Sequence, residues 1–211
     1  MRVIPLSAVA LIVAGRLLAQ GAGLDLRAGG LAMATSRAAE LAGAVGTASG
    51  TMMGGEVTLR NGALGVTARL LDGKLTAGSG SPAAAEITDA EAALLLGSPS
   101  IALEVGYARR AITGSFATSV YSFYEVGARL GIEIGTTGVS ATVAAAAYLH
   151  AGGQDGNGMV AETSLRYAPR RFPAYLSVGY RLEQITLKNS AGDRPDELRG
   201  LLLGAGLRLG R

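Results

Sequence analysis

Between Ser122 and Ile134 the chain alternates with a period of two. Tyr124, Val126, Ala128, Leu130, Ile132 and Ile134 fall on one face, while Glu125, Gly127, Arg129, Gly131 and Glu133 fall on the other. A helix turning every 3.6 residues scatters such a pattern around its axis, whereas a strand sorts it onto two opposite faces. One face is oily and the other charged, which predicts a sheet whose two sides meet different media.

The same split recurs along the chain. Leu24 and Leu26 oppose Asp25 and Arg27, Val57 and Leu59 oppose Glu56 and Arg60, and Val66, Ala68 and Leu70 oppose Thr67 and Arg69. Ile101, Leu103, Val105 and Tyr107 oppose Glu104, and Leu165 and Tyr167 oppose Glu162 and Arg166. Leu176, Val178 and Tyr180 oppose Ser177, Arg181 and Glu183, and the last run sets Leu201, Leu203, Leu207 and Leu209 against Arg208. Ten strands are predicted, over 23–34, 51–60, 63–71, 88–96, 101–110, 119–134, 139–150, 159–168, 174–187 and 199–210. Residues 89–97 also read as a short helix capped by Asp89 and stopped by Gly97, and 36–41 as a loop helix; an eight-stranded sheet is the alternative.

The charges decide which face is inside. A soluble sandwich decorates its outer face and edges with lysine. Here the only lysines are Lys74 and Lys188, and charged residues make up 17% of the chain, against about 25% in soluble domains. The strand charges are arginines and carboxylates of nearly balanced sign, often sharing a face with glycine. The expected lumen network is Glu56, Arg60, Arg69, Glu104, Glu125, Arg129, Glu133, Glu162, Arg166, Arg181, Glu183 and Arg208. Arginine's planar fork suits pairing in a confined space better than a lysine does. The prediction is an all-β fold, a closed antiparallel up-and-down transmembrane barrel. Closure satisfies every backbone N–H and C=O, which lipid cannot do.

Met1-Arg2 followed by the apolar stretch 3–15 and a small residue at Ala19 reads as a signal peptide over 1–19, with the barrel over 20–211. No apolar run in the remainder is long enough for a spanning helix, which needs about 20 residues. There are no cysteines, which removes disulfide, thiolate-metal and thiol-nucleophile chemistry. The net charge of +3 includes Arg2 and Arg16, so the processed chain is near neutral and gives no reason to expect nucleic acid.

The expected connections alternate. Asn61-Gly62, 97–100, 135–138 and 169–173 are short, while 36–50, 72–87, 111–118, 151–158 and 188–198 are longer. Outer-membrane barrels show this asymmetry, with short periplasmic turns and long outer loops. The apolar-alternating tail, 199–211, resembles the closing strand of bacterial outer-membrane β-barrel proteins, and the resemblance extends over the export signal and the rest of the chain. One departure is the ending Leu209-Gly210-Arg211, where such proteins commonly end in an aromatic residue. The resemblance implies outer-membrane lipid, lipopolysaccharide and the barrel-assembly machinery as partners, with both termini periplasmic. The expected aromatic belt is Tyr107, Tyr121, Tyr124, Tyr167, Tyr175 and Tyr180.

Little chemistry is evident. His150, the sole histidine, lies near Asp155; a barrel protease of the omptin kind uses an Asp–His pair plus further aspartates, and no second pair is present in the sequence nearby. Residues 152–158 carry one carboxylate among glycines and read as a hairpin loop, and Gly204-Ala205-Gly206 lies in a strand, so it is no nucleotide fingerprint. Arg109-Arg110, beside an outer loop, is a candidate contact for lipopolysaccharide phosphates. No catalytic residue, cofactor or metal site is predicted. The expectation is a non-enzymatic barrel with a salt-bridged lumen, structural or weakly permeable. A small-solute channel, a surface adhesion protein and an enzyme using His150 are the alternatives.

Overall fold

The computed structural model describes residues 23–41, 44–79, 81, 83–114, 118–153, 155–169, 171–188 and 194–210. The export segment expected over 1–19 lies outside the described residues.

Ten antiparallel strands run in chain order: β1 (Leu24–Leu41), β2 (Ala44–Asn61), β3 (Leu64–Ala77), β4 (Ala85–Gly97), β5 (Ile101–Gly114), β6 (Thr118–Ile134), β7 (Val139–Gly153), β8 (Gly156–Tyr167), β9 (Ala174–Leu187) and β10 (Arg194–Gly210). Each pairs with its chain neighbours, and β1 pairs with β10, from Asp25 opposite Gly210 to Ala39 opposite Asp196, to close the barrel. The fourth crossing is a strand, paired with β3 from Leu64 opposite Leu96 to Leu75 opposite Ala85. Residues 36–41 are also strand, and the described residues contain no helix.

One mouth of the barrel holds the start of β1, the end of β10 and the turns 62–63, 98–100, 135–138 and 168–173. We call it the terminal mouth. Gly62 takes φ +58° at the tip of the β2–β3 hairpin, a left-handed value that fits the Asn-Gly signal. The opposite, far mouth carries the connections 42–43, 78–84, 115–117, 154–155 and 188–193. These run from two to seven residues, close to the two to six of the turns at the terminal mouth, so the marked asymmetry in loop length expected between the two ends is absent. The strands continue instead: β1 and β2 each have 18 residues, against the 9–11 or so that a tilted crossing needs.

The continuation has a physical signature that a search for apolar-out strands misses. In the terminal half, outward positions are apolar: Ile101, Leu103, Leu130, Ile132, Leu176 and Leu207 are all exposed. In the far half the same outward parity carries Thr51, Asp72, Lys74, Thr88 and Thr113, while inward positions carry Met33, Met52, Leu75, Ile87, Ile112, Phe123 and Leu198, all buried. The alternation continues with its sign reversed, interrupted by a register shift between Ser122 and Phe123 where β6 meets β7. On β6 the outward apolar run Tyr124–Ile134 spans roughly 33 Å of strand at about 3.3 Å per residue, a band roughly 25 Å tall at the tilt usual for such strands. Tyr107 and Tyr124 meet edge to face at 6.2 Å at the upper margin of this band. Tyr121 and Tyr175, expected in an outer belt, are instead buried inside.

Candidate functional site

Among the described residues polar chemistry is concentrated in the lumen, and inward glycines make room for it. A Cβ at Gly29 would lie 2.5 Å from the Tyr175 hydroxyl, and one at Gly206 would lie 2.8 Å from the Tyr175 ring. The Tyr175 side chain thus lies across two glycines, one on β1 and one on β10. Gly200 plays the same part under Met33, whose Cε would be 2.8 Å from an added Cβ. The glycine-rich face is therefore filled rather than open.

At mid-barrel the side chains form a knot. Arg69 donates to Glu162 at 2.6 Å and 3.0 Å and reaches Glu56 at 3.4 Å. Arg181 bonds Glu91 and approaches Glu162 at 3.4 Å and Glu183 at 3.1 Å. Arg110 joins Asp89 at 2.9 Å and Glu183 at 2.6 Å, with both Arg110 and Glu183 only 2% exposed. The Tyr148 hydroxyl donates to Glu91 at 3.0 Å and accepts from Arg181 at 3.1 Å. Beside the knot a cavity of about 30 Å³, lined in part by Glu104, Glu125, Arg129 and Glu162, is large enough for one or two water molecules.

Asp89, Glu91 and Glu183 approach within 4.8 Å of one another. Two guanidinium groups already lie among them, so the donor set is that of an ion-pair knot rather than a metal centre. Charged groups this deep need partners, because an unpaired buried charge is costly. The knot answers that need by sharing each carboxylate between strands far apart in sequence.

Above the knot the lumen turns apolar. Phe123 stacks on Tyr148 at 5.1 Å with the rings nearly parallel, and Tyr121 stacks in turn on Phe123 at 6.4 Å. Met33, Met52, Leu71, Ile87, Ile185 and Leu198 complete a plug, each under 3% exposed. Ala83, between β3 and β4, is fully buried at the far mouth. Arg37 fixes it, donating to the Ala83 carbonyl at 3.2 Å while holding Asp196 at 2.9 Å and 2.7 Å.

The expected lumen residues distribute unevenly. Glu56, Arg69, Glu162, Arg181 and Glu183 enter the knot. Arg129 pairs with Glu104 at 3.0 Å, Arg166 with Glu56 at 3.4 Å, and Arg208 with Asp25 at 3.2 Å. Among the described residues Arg60 bonds no carboxylate and donates to the Gly97 and Ser98 carbonyls at 2.6 Å and 3.1 Å. Glu125 is buried facing the cavity and Glu133 is exposed on β6; neither has an ion pair among the described residues. Asp89, Arg110, Glu91 and Tyr148 were not among the expected network. Arg110 is the clearest correction: it points into the lumen, while only its neighbour Arg109 is exposed. Parity was the available signal, since Arg110 shares the even-numbered inward face of Glu104 and Ala108.

His150 Nδ1 lies 3.7 Å from Asp155 Oδ1 at the far mouth, both well exposed. Among the described residues no hydrogen bond or ion pair ties a second carboxylate or a serine to this pair.

The sequence matches no protein-family model and no curated protein. Among solved structures the barrel is similar to the outer membrane protease OmpT from Escherichia coli, at 9% identity over 89% of this chain and 97% of that one, with a TM-score of 0.46. It is similar to the translocator domain of the autotransporter NalP from Neisseria meningitidis, at 15% identity over 97% of each chain and a TM-score of 0.41. It is similar also to Ail, the attachment invasion locus protein of Yersinia pestis, at 14% identity over 89% of this chain and 99% of that one, TM-score 0.31. The chain's own described residues form a closed ten-strand up-and-down antiparallel barrel.

Proposed function

We propose that the chain is a bacterial outer-membrane barrel that conducts nothing: a sealed, non-enzymatic structural protein of the envelope, exported by its first 19 residues, with its terminal mouth in the periplasm. The observation that carries the reading is that the lumen is closed twice over. The ion-pair knot spans the barrel from Arg69 and Glu91 on β3 and β4 to Glu162 and Arg181 on β8 and β9, and the apolar plug closes it again. An ion crossing both would shed its hydration in the plug, where nothing replaces the lost water contacts. Membrane placement is supported by the outward apolar band and by a strand closure that leaves no edge. Contacts with lipid, lipopolysaccharide and the assembly machinery belong to the same reading.

A small-solute channel required the glycines to leave a passage, and those glycines lie beneath Tyr175 and Met33. Adhesion through long outer loops required loops that are here strands. The test is planar-bilayer recording of the purified chain. Electrically silent membranes are expected; a steady, wild-type open-pore conductance would sink the sealed-lumen reading. A barrel that stays silent until Phe123 is cut to Ala would assign the seal to the plug.

A further inference from the structure

The terminal mouth has a charge distribution that the knot does not explain. Five consecutive strands around the wall, β8, β9, β10, β1 and β2, present inward at this mouth Arg166, Tyr175, Arg208, Arg27 with Asp25, and Arg60 in turn. Arg27 and Arg208 are direct cross-strand partners, a like-charge pairing that costs free energy unless something neutralises it. One carboxylate serves both: Asp25 takes Arg27 at 2.7 Å and Arg208 at 3.2 Å. Asp25 is also the cross-strand partner of Arg60, whose Nη2 donates to two backbone carbonyls. Arg166 lies over the Tyr175 ring at 5.0 Å, and its one carboxylate partner among the described residues is Glu56, at 3.4 Å, which it shares with Arg69. The Nε atoms of Arg60 and Arg166 are buried with no partner among the described residues, as are those of Arg69, Arg110 and Arg181 in the knot. Along the arc Arg27 and Arg208 share Asp25, Arg166 shares Glu56 with Arg69 of the knot, and Arg60 meets no carboxylate among the described residues, so guanidinium charge exceeds carboxylate charge by at least two. Arg27, Arg166 and Arg208 keep 24%, 20% and 37% of their side-chain surface exposed, so the arc is reachable.

We propose that this arginine arc is a binding site for a small soluble phosphate compound, held by its phosphate group at the terminal mouth. A phosphate dianion matches the surplus of two charges, and the guanidinium fork matches its oxygens with paired N–H donors. The low-dielectric wall of the barrel strengthens the attraction by focusing the field into the mouth. Asp25 is a built-in competitor, because it occupies two of the arginines that the ligand needs. The site does not depend on whether the lumen conducts.

The test is calorimetric titration of the intact chain in detergent with inorganic phosphate at low ionic strength. Saturable one-to-one binding is expected, weakened at least tenfold in Arg27→Gln/Arg208→Gln. Asp25→Asn, a near-isosteric change, is expected to bind phosphate several-fold more tightly, since it frees both partners. Circular dichroism confirms the barrel in each variant. No saturable binding by the unaltered chain, equal affinity in the double variant, or weaker binding by Asp25→Asn would each overturn the proposal. The last outcome would make Asp25 the group that holds the arginines in place and nothing more.

Discussion

On β5, Leu103 and Val105 point outward and Glu104 inward; a few residues on, Thr113 points outward and Ile112 inward. The two halves of the barrel bury opposite things behind the same wall. In the terminal half apolar side chains face out and the interior is held by charges that must find one another. In the far half polar side chains face out and the interior is an ordinary apolar core. The difference teaches that a strand's parity and its polarity are separate variables. Backbone pleating sets which residues face inward over the whole length of a strand, while the medium outside sets which chemistry belongs there. The two interiors should therefore fail differently when damaged.

The charged interior should fail hardest. Arg181 touches Glu91, Glu162, Glu183 and Tyr148 with 4% of its side chain exposed. Arg181→Ala leaves buried carboxylates without a counter-charge and is expected to cost about 3–5 kcal/mol, read from equilibrium urea unfolding in detergent micelles. A loss below about 1 kcal/mol would mean that the remaining arginines re-pair and that the knot is redundant.

In the apolar interior the damage is a void rather than a stranded charge. Phe123→Ala removes the ring between Tyr121 and Tyr148 and should cost about 3–4 kcal/mol through lost burial and an unfilled cavity. The same variant in a planar bilayer separates the two closures: silence would show that the knot alone blocks ions, while conductance would show that the plug is needed.

Much of this fold could be read from the sequence, and the failures have one cause. All ten strands were legible, because β5, β6 and β10 carry long apolar-out alternations that no helix reproduces. The strand ends at the far mouth were not. Residues 36–41, 44–50 and 72–77 read as loops because their outward positions include Ser36, Thr47, Ser49, Asp72 and Lys74, which leaves the inward Leu75 as an isolated apolar residue. A reading that kept parity and allowed the sign to reverse would have extended the strands that were cut short, such as β1, β2 and β3, while β9 was already read over its full 174–187. The interior site was partly legible for the same reason. Arg69, Glu162 and Arg181 sit where apolar-out parity is unambiguous, whereas Asp89 and Arg110 lie near the reversal and looked like helix cap and loop charge. The pairing itself was not legible: which carboxylate meets Arg69 depends on barrel closure, which brings together residues 93 positions apart.

The outer surface offers the most direct comparison of the halves, as a matched pair of substitutions. Leu130→Arg places a charge in the middle of the outward apolar run of β6, where Leu130 is 53% exposed. In a bilayer it should cost about 2–4 kcal/mol, the penalty for a basic residue near the midplane. Thr113→Arg makes the same kind of change on the same outward parity in the far half of β5, and should stay within about 0.5 kcal/mol, as for an exposed site in water. Measured by urea unfolding from lipid vesicles, the contrast locates the membrane boundary between these two levels. Equal small costs would place both positions in water and remove the case for a bilayer around the terminal half. Equal large costs would extend the bilayer over Thr113 and leave the outward Lys74 and Asp72 of the far half without an explanation.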